Sequence, residues 1–229
     1  MGRRKKNWIQ TFVLLIVLLL LLSGCTKFDA CAYMQAILDV SYKNETEGYM
    51  EITGVTQEEA DEIFQKNLDA TMHEFSTTKL PEELEENYRL LFEDTVKQVK
   101  YTVGEAVEGE NKSYTVDVAV EPILLFDETY EEFQNKTEEY ASEISNNVMS
   151  GEELPSDDEI QNQVYQTYYE VLKTALNDGL TYGEAENITV HINRMEDGAY
   201  EIPEEDLRAL DQAMISQEKL ESLADAGNQ

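Results

Sequence analysis

The feature that most constrains the fold is a stretch of strict alternation in the middle of the chain. Apolar residues occupy every second position, at Tyr114, Val116, Val118 and Val120. This period of two is typical of a β-strand with one face buried and the other in solvent. A shorter alternating run, Val99–Val103, precedes it across a turn at 109–112. The sequence therefore predicts an antiparallel hairpin that other elements cover on one face.

A second hairpin is predicted nearer the C-terminus, where Ile188, Val190 and Ile192 alternate before an Asp197-Gly198 turn. Most of the remaining chain repeats its apolar residues every three or four positions, as amphipathic helices do. The predicted helices cover residues 28–43, 56–75, 81–96, 127–148 and 156–178, and a last one begins at Pro203. We therefore expect an α+β fold in which an antiparallel sheet of two hairpins packs against about six helices, in the order ααα-ββ-αα-ββ-α.

Local signals add detail to these helices. Thr56 with Glu59, and Ser156 with Glu159, have the spacing of capping boxes at two helix starts. The glycine-containing residues 44–55 are predicted to be loop. The helix over 127–148 is predicted to bury one side, which consists of Tyr130, Phe133, Tyr140, Ile144 and Val148. The tyrosines at 165, 168 and 169 fit either a core or a groove for a peptide or glycan, and their spacing leaves both open.

The N-terminal segment has the composition of an export signal. Basic residues fill positions 3–6, an apolar run follows from Phe12 to Leu22, and small residues precede Cys25. The apolar run is about half of the 20 or so residues that span a membrane, which favours a cleaved signal over a retained span. Both alternatives place residues 26–229 outside the cytoplasmic membrane, because the basic cluster stays inside.

The end of this segment, Leu22-Ser23-Gly24-Cys25, resembles the lipobox of bacterial lipoproteins. The resemblance implies that a diacylglyceryl group is attached to the Cys25 thiol and that the chain is cleaved just before it. Residues 1–24 would then be a lipoprotein signal peptide, and residues 25–229 a single extracytoplasmic α+β domain with a frayed tail at 222–229. We expect this domain to be lipid-anchored on the outer face of a bacterial cell membrane.

The charge of the chain restricts its partners. It carries 17 Lys and Arg against 48 Asp and Glu, and removing residues 1–24 leaves a net charge of −35. Nucleic acid binding needs basic side chains to neutralise phosphates, so nucleic acid is not expected as a partner. An anionic membrane surface repels such a domain, so the membrane lipid on Cys25 must hold it. A protein or a cell-wall partner, including divalent ions of the wall, is compatible with this charge.

Further runs of residues resemble a group of uncharacterised small lipoproteins from low-GC Gram-positive bacteria of the clostridial type. The resemblance rests on Cys25 with Phe28–Ala30, on Tyr33–Asp39, on Lys100–Gly104, on Tyr114–Val118 with Glu121-Pro122, on Tyr182–Glu184, and on Ile202 before the acidic helix start. It implies helices packed on a curved sheet, similar to cystatin-like or nuclear-transport-factor-like domains. It implies no catalytic residues.

No combination of residues identifies a reaction. Cys25 and Cys31 are the only cysteines, His73 and His191 are far apart, and no metal-ligand spacing, nucleophile elbow or phosphate loop occurs. We therefore predict no catalytic residue, no metal site and no cofactor, and a role as a membrane-anchored binding or interaction module. The alternatives are a small cavity enzyme of the nuclear-transport-factor-like type and an acidic cation-binding surface domain. A pocket on the inward sheet face would favour the enzyme.

Overall fold

The computed structural model describes residues 28–75 and 80–217. The signal segment, the lipobox cysteine and the predicted frayed tail lie outside the described residues. Within the described ranges the helices are α1 Ala30–Leu38, α2 Glu47–Thr53, α3 Gln57–Phe75, α4 Glu82–Val96, α5 Leu125–Met149, α6 Asp157–Asp178 and α7 Glu204–Met214. The strands are β1 Lys100–Glu108, β2 Tyr114–Glu121, β3 Glu186–Arg194 and β4 Tyr200–Glu201. The predicted α+β class is confirmed, and the order of helices and hairpins matches the prediction apart from one additional helix, α2, before the first hairpin.

The four strands form one antiparallel sheet in the order β1-β2-β3-β4. The predicted hairpins pair through β2 and β3, with Val116 opposite Val190 and Val118 opposite Ile188. The alternation separates the two faces as expected. One face is completely buried at Val116, Val118, Val120, Val190 and Ile192. The other face lies in solvent, where the Thr189 hydroxyl donates a hydrogen bond to Asp117 at 2.6 Å.

Two helices cover the inward face of the sheet. The first, α1, packs against β1 and β2, and α7 packs against β2 and β3. Their apolar sides supply Tyr33, Met34 and Ile37 from α1 and Leu207, Leu210 and Met214 from α7 to the core. The start of α7 also reaches β3, because the Asp206 carboxylate accepts a hydrogen bond from the backbone N–H of His191 at 2.7 Å. The inward face is therefore occupied by side chains of the core.

The segment after α1 differs from the prediction in two ways. The expected single helix over 28–43 is α-helical to Leu38 and continues as a π-helix from Asp39 to Lys43, which ends at Asn44 in the left-handed conformation. The predicted loop at 44–55 was wrong, because it contains α2. The ring of Tyr49 is buried there, and this burial outweighs the low helix propensity of Gly48. Gly54, with φ +74°, ends α2.

The predicted burial along α5 was also wrong. The helix exists, but its buried residues are Leu125 and Thr129, both in the first turns. The expected apolar side is only half-buried from Tyr130 to Ile144, and Val148 is exposed. The physical reason is that α5 packs mainly against α6 rather than on the core. One neighbouring helix shields part of a side chain, whereas complete burial needs neighbours on several sides.

Candidate interaction site

The helices α5 and α6 form a long helical hairpin. They contain 25 and 22 residues. At 1.5 Å per residue, these lengths correspond to about 37 and 33 Å. They are joined by residues 150–156 and pack against each other, and α6 also packs against α4. The predicted capping box at the start of α6 is confirmed, with Ser156 and Glu159 exchanging hydrogen bonds.

A cluster of aromatic side chains packs the base of the helical hairpin, the end that contains Phe133 and Tyr168, against the rest of the molecule. Phe133 of α5 lies 4.5 Å from Tyr168 of α6, measured between ring centroids, and Phe75 lies 4.5 Å from Tyr88. The Tyr88 hydroxyl donates a hydrogen bond to the backbone carbonyl of Tyr165 at 2.6 Å. Burial raises the pKa of the Tyr88 and Tyr168 phenols, so both stay neutral. The tyrosines at 165, 168 and 169 therefore pack against core aromatic residues, and the groove alternative has no support.

The distal half of the helical hairpin, residues 134–164, contains no buried residue. Its larger apolar side chains, Tyr140, Ile144, Ile160 and Val164, are half-buried along the seam between the two helices. The core and the residues packed against it include Phe126, Tyr165 and Tyr168 but no member of the distal half. This part of the chain thus contributes nothing to the core that holds the sheet and α1.

The end of the helical hairpin exposes apolar side chains. At this hairpin tip, which we define as residues 148–158, the exposed fractions are 41% for Val148, 83% for Met149 and 65% for Leu154. These three are half of the large apolar residues exposed in the described ranges; the others are separate, at Leu90, Val107 and Met195. Single exposed apolar residues are common on protein surfaces, whereas several of them close in sequence at the end of a helical hairpin make a candidate contact surface.

The apolar group at the hairpin tip has an acidic border. Glu152, Glu153, Asp157 and Asp158 are exposed within it. None of them forms an ion pair with a described residue. From Tyr140 to Val164 the chain has six acidic residues and no Lys, Arg or His. An apolar centre with a polar rim is the usual anatomy of a protein interface.

The residues singled out in the sequence are not brought together. Cys25 and the cleavage motif Leu22-Ser23-Gly24 lie outside the described residues. The half-buried thiol of Cys31 donates a hydrogen bond to the carbonyl oxygen of Gly104, with 3.3 Å between sulfur and oxygen. His73 is exposed at the end of α3. The exposed ring of His191 lies with its Nδ1 2.9 Å from an Asp206 carboxylate oxygen.

Among residues 28–75 and 80–217, no group of three or more His, Cys, Asp and Glu side chains is arranged to hold a metal ion. No helix in these ranges has the length and hydropathy to cross a membrane. Sequence reasoning did not find the hairpin tip, although the absence of basic residues from Tyr140 to Val164 was a signal.

The molecule belongs by architecture to the α+β proteins in which helices cover one face of an antiparallel sheet. The crystal structure of YcdA, a candidate lipoprotein from Bacillus subtilis subsp. subtilis str. 168, has a similar fold, with a TM-score of 0.55 and 16% sequence identity. The similarity covers 82% of this chain and 56% of the YcdA chain, so this chain matches little more than half of that structure. No protein-family model and no curated protein matches the chain. At this identity the similarity shows the fold alone.

Proposed function

We propose that this protein is a lipid-anchored extracytoplasmic binding protein that contacts a partner through the helical hairpin. The observation that carries the proposal is the distal half, which adds no residue to the core yet exposes Val148, Met149 and Leu154 at its end. A helix pair of this length gains little stability when it projects from a domain, which is consistent with a role in binding.

The anchoring part of the proposal rests on the sequence. We propose that residues 1–24 are removed, that a diacylglyceryl group modifies Cys25, and that the domain lies on the outer face of a bacterial cell membrane. The fold similarity to YcdA, a candidate lipoprotein, supports this view. The relation to clostridial lipoproteins stays a prediction, as does the likeness to cystatin-like and nuclear-transport-factor-like domains.

The positions of the anchor and the helical hairpin are compatible with this function. Phe28, three residues after Cys25, stacks on Tyr200 with ring centroids 3.6 Å apart and lies 5.5 Å from Tyr114. The chain therefore enters the domain beside the first residue of β2. The helix α5 begins four residues after the other end of β2, and eight strand residues span about 25 Å. Phe28, the first described residue, and the start of α5 therefore lie near opposite ends of β2, which is compatible with a tether at Cys25 on the side away from the helical hairpin.

The two alternatives have no supporting observation among the described residues. A cavity enzyme would use the inward face of the sheet, but core side chains from α1 and α7 occupy that face over β2 and β3. A cation-binding domain would need acidic side chains gathered around one point, whereas the acids at the hairpin tip surround an apolar group.

Photo-crosslinking in the native host tests the proposal. A photo-reactive amino acid at Ser150 leaves the exposed apolar side chains of the hairpin tip intact, and the same group at Val107 in β1 is a matched exposed control. We expect the Ser150 position in the membrane-bound full chain to give a discrete adduct that the Val107 position does not give. Identical adduct patterns from both positions, or none from Ser150, would overturn the proposal.

A further inference from the structure

We infer that the partner of the hairpin tip is a protein surface with an apolar pocket bordered by lysine and arginine side chains. The inference rests on the proposed function and adds the chemistry of the partner to it. It combines two observations at one place, namely the exposed apolar group and the acidic border that has no basic residue of its own.

The apolar group supplies the anchoring contact. Met149 is 83% exposed, and Leu154 stands across the connecting turn at 65%. The turn is fixed, because the N–H of Glu152 donates to the carbonyl of Asn147 at 3.0 Å and Gly151 adopts a φ of +97°. A methionine at such a position adapts its unbranched side chain to the shape of a pocket. Since few residues carry most of the energy of an interface, this small group can dominate binding.

The acidic border determines which charge the partner's surface must carry. Glu159 is engaged in the capping box, where its carboxylate accepts from the N–H and the hydroxyl of Ser156 at 2.8 Å each. The carboxylates of Glu152, Glu153, Asp157 and Asp158 are directed to solvent. A neutral or acidic partner would desolvate these charges without compensation, whereas basic side chains would pair with them.

A second copy of this chain is a poor match, because it carries 48 acidic side chains against 17 basic ones. Six of its ten described lysines and arginines already pair with acids of their own or a neighbouring helix, as in Lys66 with Glu62 at 2.7 Å and Lys97 with Glu93 at 2.6 Å. Arg89 likewise pairs with Asp69 of α3 at 2.5 Å. Two hairpin tips would repel each other, and an anionic membrane would repel the tip as well.

Binding of designed probe peptides tests this inference on the full lipidated protein in zwitterionic phosphatidylcholine nanodiscs. The probes are an amphipathic Lys/Leu helix and a Glu/Leu helix of the same length, and fluorescence anisotropy gives their dissociation constants. We expect the Lys/Leu helix to bind and the Glu/Leu helix not to bind. A double change of Met149→Ser and Leu154→Ser should weaken binding about tenfold, against less than twofold for Leu90→Ser with Val107→Ser.

The acidic border is tested by matched neutralisation. Changing Glu152, Glu153, Asp157 and Asp158 to their amides should weaken binding of the Lys/Leu helix about tenfold and remove most of its salt dependence. The control changes the exposed Glu82, Glu83, Glu85 and Glu86 of α4, also near a helix start, to Gln and should have less than a twofold effect. Circular dichroism checks that each variant is folded.

The outcomes separate this inference from the proposed function. Equal losses in the two neutralised proteins, or equal binding of the Glu/Leu helix, would overturn the inference. If the Ser150 position still gave its specific adduct in cells, the proposed function would stand and the partner would have a different chemistry. If that adduct were also absent, both would fall.

Discussion

The hydroxyl of Tyr88 in α4 donates a hydrogen bond to the backbone carbonyl of Tyr165 in α6, at 2.6 Å. The two rings are perpendicular, with centroids 6.3 Å apart. This pair joins the base of the helical hairpin to a helix that begins far from it in sequence. Together with the aromatic contacts of Tyr168, this pair forms the joint between the helical hairpin and the core, because the distal half itself adds no residue to the core.

Removing this hydroxyl should weaken the joint. We expect Tyr88→Phe to lower the free energy of unfolding by about 1 kcal/mol, because one buried hydrogen bond is lost while the ring packing is kept. Urea denaturation followed by circular dichroism measures the change. Tyr140→Phe, in the half-buried seam of the distal half, is the matched control and should change stability by less than about 0.5 kcal/mol. Equal effects of both variants would contradict this role for Tyr88.

The distal half should be removable without loss of the folded domain. We expect a chain in which a short Gly/Ser turn replaces residues 138–162 to keep a cooperative thermal transition, because none of these residues is buried. Differential scanning calorimetry measures the transition. In contrast, Leu172→Ala near the base, where Leu172 is completely buried, should cost about 2–5 kcal/mol. A shortened chain that loses its transition would show that the distal half supports the core.

Cys25 should be required for both lipid attachment and processing. We expect Cys25→Ala to abolish labelling by a fatty-acid probe and to leave the precursor uncleaved, because the thiol is the predicted attachment point. Gel mobility and probe fluorescence in the native host measure both effects. Cys31→Ala is the control and should be labelled and cleaved like the original chain. Processing of the Cys25→Ala chain at the same peptide bond would refute the lipobox interpretation.

Stability should fall at alkaline pH. Burial raises the pKa of the phenols of Tyr33, Tyr49 and Tyr88, and it also raises the pKa of Tyr101, which donates a hydrogen bond to Asp39. A tyrosine in the unfolded chain ionises near its ordinary pKa of 10.0, below its pKa in the folded protein. The unfolded state therefore loses its phenolic protons first. The contribution of these phenols to the free energy of unfolding is fully present below pH 10 and is lost as the pH rises above it.

Urea midpoints measured across this range, together with tyrosinate absorbance, test the alkaline effect. We expect the midpoint to be level from neutral pH to about 10 and then to fall steeply, with tyrosinate forming as the protein unfolds. Tyr101→Phe should reduce the steepness of the fall, because it removes one phenol whose pKa is raised in the folded protein. If the buried tyrosines formed tyrosinate near their ordinary pKa while the protein was still folded, their phenols would be accessible to solvent and the prediction would be wrong.

The parts of the fold that local sequence determines were predictable. The alternation of β2 and β3, the Asp197-Gly198 turn and the Ser156–Glu159 capping box each involve residues close in sequence. The helix α2 was not predictable in this way, because its formation depends on packing against α1 and α3, which accompanies the burial of Tyr49. Gly48 and Gly54 indicated a loop.

The candidate site was missed for a related reason. Helical periodicity shows which side of α5 is apolar, but it does not show what covers that side. Tyr140 and Ile144 have the same spacing whether they meet a complete core or a single neighbouring helix. Only the three-dimensional arrangement shows that α6 is their neighbour and that Met149 and Leu154 are left exposed.

The separation of the distal half from the core has a consequence for the evolution of the protein. We expect substitutions at core positions such as Val118 or Leu210 to change the stability of the fold, and substitutions or length changes between residues 134 and 164, where no residue is buried, to leave it nearly unaltered. Selection for a new partner can therefore act on the end of the projection without a matching loss of foldability. Under the proposed function, changes confined to one pair of helices would alter the partner while the domain that carries them stays the same.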